Sequence, residues 1–318
     1  MSEIWHPMDD GLSVSGLNLW LQDRFAFKAR YLEEYEEVLK FTPALAYGNL
    51  MQCGIEGYIK GGRQKVSLIK YIKNEYDRLV EEHGAMEDID FWANLAIHEA
   101  DLFTQVYDND PVLPLSEVTD SERNVRVECP LPSGRSITLN CYLDGEGDGL
   151  IMENKVRGNW WEEGITHNIY LDLQVNYYLL AVTMETGETP KRVWYQHSLR
   201  PGSRRGPRKT KAETQTEYLE RCKTWMSEHV DETFFRYVFQ PTPTDLQRFC
   251  HASLYPMLEA FLDWYEYHDE VRLGGNPVNK FDWMSPYGQY NPFVEGTAER
   301  FREYRLTGQP IGLRKRVN

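Results

Sequence analysis

Apolar positions along this 318-residue chain recur first with a helical period, then alternate, then return to a helical period. Residues 12–40 predict a helix, with Leu17, Trp20, Leu21, Phe25 and Phe27 ahead of a charged stretch. Pro43 opens a second helix, ALAYGNLMQCGIEGYIK, which Gly61-Gly62 closes. KVSLIKYIKNEYDRLVEEHG and FWANLAIHEADLFTQVY read as two more helices. Past Pro111 the period falls to two. Residues 123–143 predict two strands, VRVECPL and ITLNCYLDG, joined by the turn Pro132-Ser133-Gly134. A third strand, LIMENKV, follows at once, then a helix around 165–185 and the strand RVWYQHSL. From about residue 213 the pattern is helical again, and Pro256 inside it predicts a kink or break. The aromatic stripe at 261–265 reads as core. The order helix, three antiparallel strands, helix, strand predicts an α/β core over 1–212 that includes the N-terminal helices. A helical extension over 213–318 is expected to pack on it.

Composition narrows the class. Hydrophobic residues at 41% and charged residues at 26% describe a globular chain, not a disordered one. No apolar run approaches the roughly 20 residues that cross a bilayer. The opening MSEIWHPMDDG lacks the features of a signal peptide, so a cytoplasmic protein without membrane contact is expected. The five cysteines are far apart and form no CxxC pair, which suits reduced core thiols better than a zinc site or disulfides. A net charge of −14 argues against unselective coating of nucleic acid. Charge is nevertheless uneven. Residues 200–211, RPGSRRGPRKTK, hold Arg200, Arg204, Arg205, Arg208, Lys209 and Lys211 and no acid. Gly and Pro make this a solvated loop; contact with phosphates is its functional reading.

The chemistry concentrates between Cys141 and Lys155. Asp148-Gly149 between strand-like runs signals a two-residue hairpin, because a type I′ turn needs positive φ at both central positions. That register sets Gly147 against Leu150, Glu146 against Ile151, Gly145 against Met152 and Asp144 against Glu153. The last two would bring their Cβ atoms to about 5 Å on one face. Lys155, two residues on, shares that face. Adjacent carboxylates repel unless a cation lies between them, and a hard divalent metal supplies one. Magnesium is commonly held by one or two carboxylates plus phosphate oxygens, which suits phosphodiester hydrolysis. Glu-x-Lys alone is common, and charges on an exposed hairpin are the bland alternative. The run Leu150-Ile151-Met152, however, is apolar on both faces, so the charges close a buried strand.

This pattern resembles the PD-(D/E)XK nucleases, in which an Asp ending one strand is followed by Glu-x-Lys on the next. Within them it resembles the branch of RecB-type nuclease domains, CRISPR-associated exonucleases and phage recombination exonucleases. Gln174 to Tyr178 (QVNYY) is similar to the Gln-x-x-x-Tyr motif of that branch. Gly48 to Glu56 (GNLMQCGIE) is similar to its helical Gly-and-acid motif, and SVSGLNLWLQDRFAFKARYL to its Ser-rich opening helix. The resemblance implies a restriction-endonuclease-like core and a metal held by Asp144, Glu153, the backbone carbonyl of Asn154 and, from the helix, Glu56. It implies that Lys155 positions the attacking water while Gln174 and Tyr178 hold Lys155 and the substrate backbone. Mg²⁺ is the expected cofactor, with Mn²⁺ as a substitute.

The chain departs from the family in three places. Leu143 precedes Asp144 where the signature has Pro. Gln52 stands where the branch often has His. Asp23 and the stretch WMSPYGQYNPF stand where iron–sulfur cysteines are often found, so no iron–sulfur cluster is expected. Trp160 and Trp161 read as core, or as a stacking platform for a displaced base; Tyr170 has the same two readings. His98 and His167 read as hydrogen-bonded or surface residues. The expectation is thus a metal-dependent deoxyribonuclease, exonucleolytic by family analogy, acting on DNA ends or single strands in recombination, repair or phage replication. Recombination or replication proteins are the expected partners. A structure-specific endonuclease, a non-catalytic DNA-end-binding module and a subunit of a larger complex are the alternatives.

Overall fold

The structure, a computed structural model, describes residues 5–32, 35–37, 41–160, 162–202, 206–266 and 313–315. Its elements in chain order begin with α1 (Val14–Gln22), α2 (Arg24–Phe27), β1 (Tyr35–Glu37), α3 (Pro43–Lys60), α4 (Lys65–His83) and α5 (Glu87–Asp108). Next come β2 (Arg123–Pro130), β3 (Ser136–Leu143), β4 (Gly145–Gly147), β5 (Leu150–Arg157), α6 (Glu162–Asn168), α7 (Leu173–Thr186) and β6 (Arg192–Leu199). Last are α8 (Gln215–Glu228), α9 (Val230–Thr233), β7 (Phe234–Phe239), α10 (Pro243–Phe249), α11 (Tyr255–Glu266) and β8 (Leu313–Lys315). The chain divides into two units. One comprises Met1–Leu39, Arg126–Cys141 and Gln247–Asn318; the other comprises Lys40–Val125 and Tyr142–Leu246.

The second unit carries a four-stranded sheet in the order β4-β5-β6-β7. Strand β5 runs antiparallel to β4 and parallel to β6, and β7 closes the edge antiparallel to β6. The parallel β5–β6 pair requires a crossover, which α6 and α7 provide. Leu150, Ile151 and Met152 of β5 are buried on both faces, as are all but the first residue of β6. Helices α3 and α5 pack with Trp194 of β6 in a core that includes Tyr47, Leu50, Met51, Ile55, Phe103 and Met226. Helix α3 approaches α4 backbone to backbone at Gly57, where an added Cβ would meet Tyr71 at 2.7 Å and the Ser67 carbonyl at 2.8 Å. In the first unit, Trp5, Trp20, Phe27, Phe261 and Trp264 form an aromatic cluster with centroids 5.3–6.3 Å apart. There the β2–β3 turn is fixed by Ser133 N–H donating to Glu259 at 3.0 Å and by the Arg135–Asp263 pair at 2.7 Å.

This is the mixed α/β architecture expected, with four local corrections. The 12–40 helix ends at Gln22, because Asp23 turns extended and its side chain accepts the Ala26 N–H at 3.1 Å, starting a new turn. The 165–185 helix is two, because Asp172 caps α7 by accepting the Val175 N–H at 2.9 Å. The stretch beyond 213 is not wholly helical: β7 interrupts it. Both of its faces are only half covered, so FFRYVF shows no clean alternation. The three antiparallel strands are not one ladder either, since β3 bends at Asp144 before β4 begins. Pro256 sits in the first turn of α11, after a wide turn at Cys250–Leu254, where a missing N–H is harmless. No helix among the described residues is long and apolar enough to cross a membrane.

Two features of the second unit give direct tests. The segment 117–120 lies flat on the hairpin: Thr119 N–H donates to the Glu146 carbonyl at 2.7 Å, and Glu146 N–H to Asp120 at 2.9 Å. A Cβ at Gly147 would run into the carbonyl oxygen of Glu117. Gly147→Ala is therefore expected to lower stability by about 1–3 kcal/mol in urea unfolding, and an unchanged midpoint would refute the close approach. Glu99 of α5 is fully buried, accepts the Tyr47 hydroxyl proton, and is held well above the usual carboxylate range by that burial. Its folded pKa exceeds the unfolded value of 4.5, so the folded chain binds the proton more tightly and stability falls as pH rises beyond 4.5. Glu99→Gln, neutral throughout, should match wild type near pH 4.5 and exceed it progressively toward pH 8.

Candidate active site

The hairpin that carries the site has the register its turn dictates: Gly145 faces Met152, Glu146 faces Ile151 and Gly147 faces Leu150. Gly149 has φ +62° but Asp148 does not share the left-handed conformation, so the two-residue turn keeps the expected register without being the expected type I′. Positive φ at its second central position alone is the type II pattern that Gly favours. The ladder ends there. Asp144 lies in a bend between β3 and β4 and forms no backbone pair with Glu153. It reaches β5 by its side chain instead, Oδ2 accepting the backbone N–H of Asn154 at 2.7 Å. Its carbonyl accepts the Ser121 hydroxyl at 2.7 Å. Bent backbone and side-chain bond together aim the carboxylate at the strand that carries Glu153.

Glu153 is 1% exposed, and Lys155, two residues along β5 on the same face, forms an ion pair with it. Lys155 Nζ also donates to Gln174 Oε1 at 2.7 Å, and Gln174 Nε2 donates to the Tyr178 hydroxyl at 2.8 Å. Gln174 and Tyr178 lie four residues apart on one face of α7, the crossover that packs beside β5. The two side chains and the ammonium thus form one hydrogen-bonded line. On the neighbouring strand, His197 stands opposite Lys155 and is buried with neither ring nitrogen hydrogen-bonded. Burial, reinforced by Arg157 and Lys155, lowers its pKa to about 4, so it is neutral and adds no charge to the site.

The electrostatic balance is unfavourable as it stands. Burial and then the neighbouring Glu153 charge push Asp144 well above the usual carboxylate range. Burial raises Glu153 as well, and Lys155 opposes that shift. Glu153 Oε2 and Asn154 Oδ1 are buried without a hydrogen-bond partner. Two carboxylates against one contacting ammonium, with acceptor oxygens left over, form an oxygen-donor set that suits a hard divalent cation. Among the described residues no three His, Cys, Asp or Glu side chains converge on a point. The set therefore fits an ion that keeps waters, as Mg²⁺ does with one or two carboxylates.

Helix α3 contributes Gln52 and Glu56, among others, to the cleft beside the hairpin. Glu56 pairs with Lys60 at 2.8 Å. One turn earlier, Gln52 makes the contacts to the hairpin: Nε2 donates to the Asp144 carbonyl at 3.4 Å and to Glu122 Oε1 at 2.9 Å, and Oε1 accepts from Asn154 Nδ2 at 3.3 Å. Glu122 escaped the sequence reading. It lies outside every motif, and only its backbone, at φ +53°, marks it. Gln52, Cys53, Glu56, Lys60, Glu122 and Tyr142 line one open cleft with Arg78.

Trp160 is buried and packs edge-on against His197 at 5.7 Å, a core placement. Trp161, Arg204, Arg205 and the stretch WMSPYGQYNPF lie outside the described residues. Arg208, Lys209 and Lys211 are exposed, and their segment is tied down rather than loose. Lys209 binds Gln215 at 2.5 Å, and Arg221 binds both the Arg208 carbonyl at 2.9 Å and Glu213 at 2.7 Å. Arg200 extends the end of β6 through its N–H to the Arg157 carbonyl at 2.8 Å. Tyr170 is 43% exposed and packs on Phe239, His167 is exposed, and His98 bonds the Lys223 carbonyl at 3.0 Å in a structural role. All five cysteines are free, four of them buried.

The family model of the PD-(D/E)XK nuclease superfamily matches residues 11–253, from just before α1 to beyond the sheet. No curated protein matches the chain.

Relief of the buried charge is measurable without catalysis. Asp144→Asn keeps an acceptor for Asn154 N–H and removes one of two repelling charges. In the absence of metal its thermal midpoint is expected to rise by about 2–4 °C per kcal/mol relieved. Millimolar Mg²⁺ or Mn²⁺ should raise the midpoint of wild type and leave the variant unmoved. A variant less stable than wild type would contradict the charge balance.

Proposed function

For a chain that belongs to the PD-(D/E)XK nuclease superfamily, and so for a nuclease acting on phosphodiester bonds, we propose a divalent-metal-dependent deoxyribonuclease with Asp144, Glu153 and Lys155 at its centre. The observation that carries this reading is the pair of the buried Glu153 and the half-buried Asp144, whose contacting cation, Lys155, is itself held by Gln174. Asp144, Glu153 and the backbone carbonyl of Asn154 would hold the ion, Mg²⁺ in the cell with Mn²⁺ as a substitute. Bound there, a divalent ion supplies Lewis acidity at a phosphoryl oxygen and lowers the pKa of water.

The chain's own groups supply the rest. Lys155 sits beside the carboxylate with its Nζ fixed on two sides, by Glu153 and by Gln174. An ammonium so oriented can donate to an attacking water or to a phosphate oxygen as negative charge builds, without reorganising at that moment. Gln174 sets the direction of that donation, and Tyr178 fixes Gln174 in turn. The neutral His197 behind Lys155 leaves the ammonium's charge directed at the carboxylates and substrate. Trp160 supports this wall from the core side, with Trp161 beside it in sequence. The basic run of Arg200, Arg204, Arg205, Arg208, Lys209 and Lys211 gives an overall acidic chain a local surface for a polyanion.

By family analogy the enzyme acts on DNA ends or single strands as an exonuclease in recombination, repair or phage replication, with proteins of those processes as partners. End-labelled linear DNA and covalently closed circles, each with Mg²⁺ or Mn²⁺, test the reading. Wild type should degrade linear DNA and spare circles. Lys155→Ala and Asp144→Asn should each lose at least about 100-fold in rate, the scale of removing one preorganised stabilising donor. Cutting of circles would replace exonuclease with endonuclease. Absence of cleavage on every substrate would overturn the enzymatic reading of the isolated chain.

A further inference from the structure

The turn Asp120-Ser121-Glu122 is built against the catalytic bend with more care than a connector needs. The Ser121 hydroxyl binds the Asp144 carbonyl at 2.7 Å, and Asp120 pairs with Glu146 across the hairpin. Glu122 follows in a left-handed backbone, φ +53°, which costs a residue with a Cβ about 1–2 kcal/mol. Strain of that kind persists where the surroundings over-determine it. Gln52 does so here. It donates to Glu122 Oε1 at 2.9 Å while its other contacts are the Asp144 carbonyl and the Asn154 side chain. Gln52 is thus a bracket between Glu122, the backbone of Asp144 and the side chain of Asn154, the residue after Glu153.

The neighbouring acid on α3 has a different attachment. Glu56 is one helical turn beyond Gln52 and pairs with Lys60 at 2.8 Å, a bond within its own helix. Both acids line the open cleft beside the hairpin, but only Glu122 is tied through Gln52 to Asp144 and Asn154. Within the site, Glu153 Oε2 is buried and unpaired, so the cluster holds an acceptor still lacking its donor or cation. Among the described residues no third acid converges with Asp144 and Glu153 closely enough to share an ion directly. A third acid can therefore act only across a water of the ion's shell.

We propose that Glu122, bracketed by Gln52, and not Glu56, is the third acid of this site, a positioning residue that holds a water of the divalent ion. This rests on the metal-dependent reading above and names the residue that completes it. Gln52 then serves by orienting an acid, and the strained turn is retained because it delivers that acid to the rim of the hairpin.

Calorimetric titration of the full chain with Mn²⁺, without DNA, tests this. Glu122→Gln keeps an acceptor for Gln52 and removes the charge; it should weaken Mn²⁺ binding by about 10-fold, the scale of losing an outer partner of a metal site. Glu56→Gln should stay within about 2-fold of wild type on the same ground. Gln52→Ala, which frees Glu122 without deleting it, should give an intermediate loss, and urea midpoints check that each variant is folded. Unchanged affinity in Glu122→Gln, or a loss confined to Glu56→Gln, would overturn the assignment and leave the metal reading intact. Failure of wild type itself to bind Mn²⁺ would overturn both.

Discussion

A folded chain that buries one carboxylate, Glu153, half-buries a second, Asp144, against the same strand, and sets a single ammonium beside them has accepted a cost that ordinary packing would avoid. Asp144 and Glu153 are both pushed toward protonation by burial, and Lys155 offsets only part of this. Everything around the pair is arranged to keep it in place in spite of that. Strand β5 arrives apolar on both faces, so the acid at its exit cannot swing into water. The bend at Asp144 is held from both sides, by Asn154 N–H on the carboxylate and by the Ser121 hydroxyl on the carbonyl. Removing a single partner from a buried charge typically costs several kcal/mol, so the contacts that hold Glu153 and Asp144 in place matter to the whole hairpin.

The need to hold that bend also accounts for local choices that look unrelated in sequence. Gly147 gives way to the carbonyl of Glu117, and Gly145 to Val118, because the 117–120 segment must lie on the hairpin to bring Ser121 under Asp144. Asp172 caps α7 so that the helix starts in a phase that presents Gln174 to Lys155 and Tyr178 to Gln174. On α3, the approach to α4 at Gly57 sets the helix whose Gln52 touches the hairpin.

Local signals in the sequence carried the hairpin well, because a two-residue turn admits few registers and Asp148-Gly149 dictates one of them. The same reasoning overran by one pair. It extended the ladder to Asp144 and Glu153, whereas the chain bends at Asp144 and substitutes a side-chain bond for a backbone one. No pattern of apolar residues encodes that exchange. Strand β7 was missed for a related reason: an edge strand half covered on both faces shows neither a period of two nor a solid apolar run. The Lys155–Gln174–Tyr178 line was legible through the resemblance to the Gln-x-x-x-Tyr motif, whose i, i+4 spacing puts two of its members on one helical face. Glu122 was not, since it enters through a long-range turn and a glutamine 70 residues away.

Position, not composition, decides where the negative charge matters. The chain carries a net −14, yet among the described residues acids such as Glu56 and Glu213 are paired locally, with Lys60 and Arg221. Exposed pairs of that sort contribute little to stability and exert little pull on an ion screened by water. At the hairpin Glu153 is buried and Asp144 half-buried, in surroundings where charges act on one another more strongly than at the surface, so a divalent cation there would gain more than from a solvated surface cluster. Burial thus does two opposing things: it raises the cost of the charged pair and strengthens the pull such a pair would exert on a divalent ion. If the proposed ion binds there, stability without metal is exchanged for affinity with it, and folding and metal binding would be two readings of one electrostatic balance.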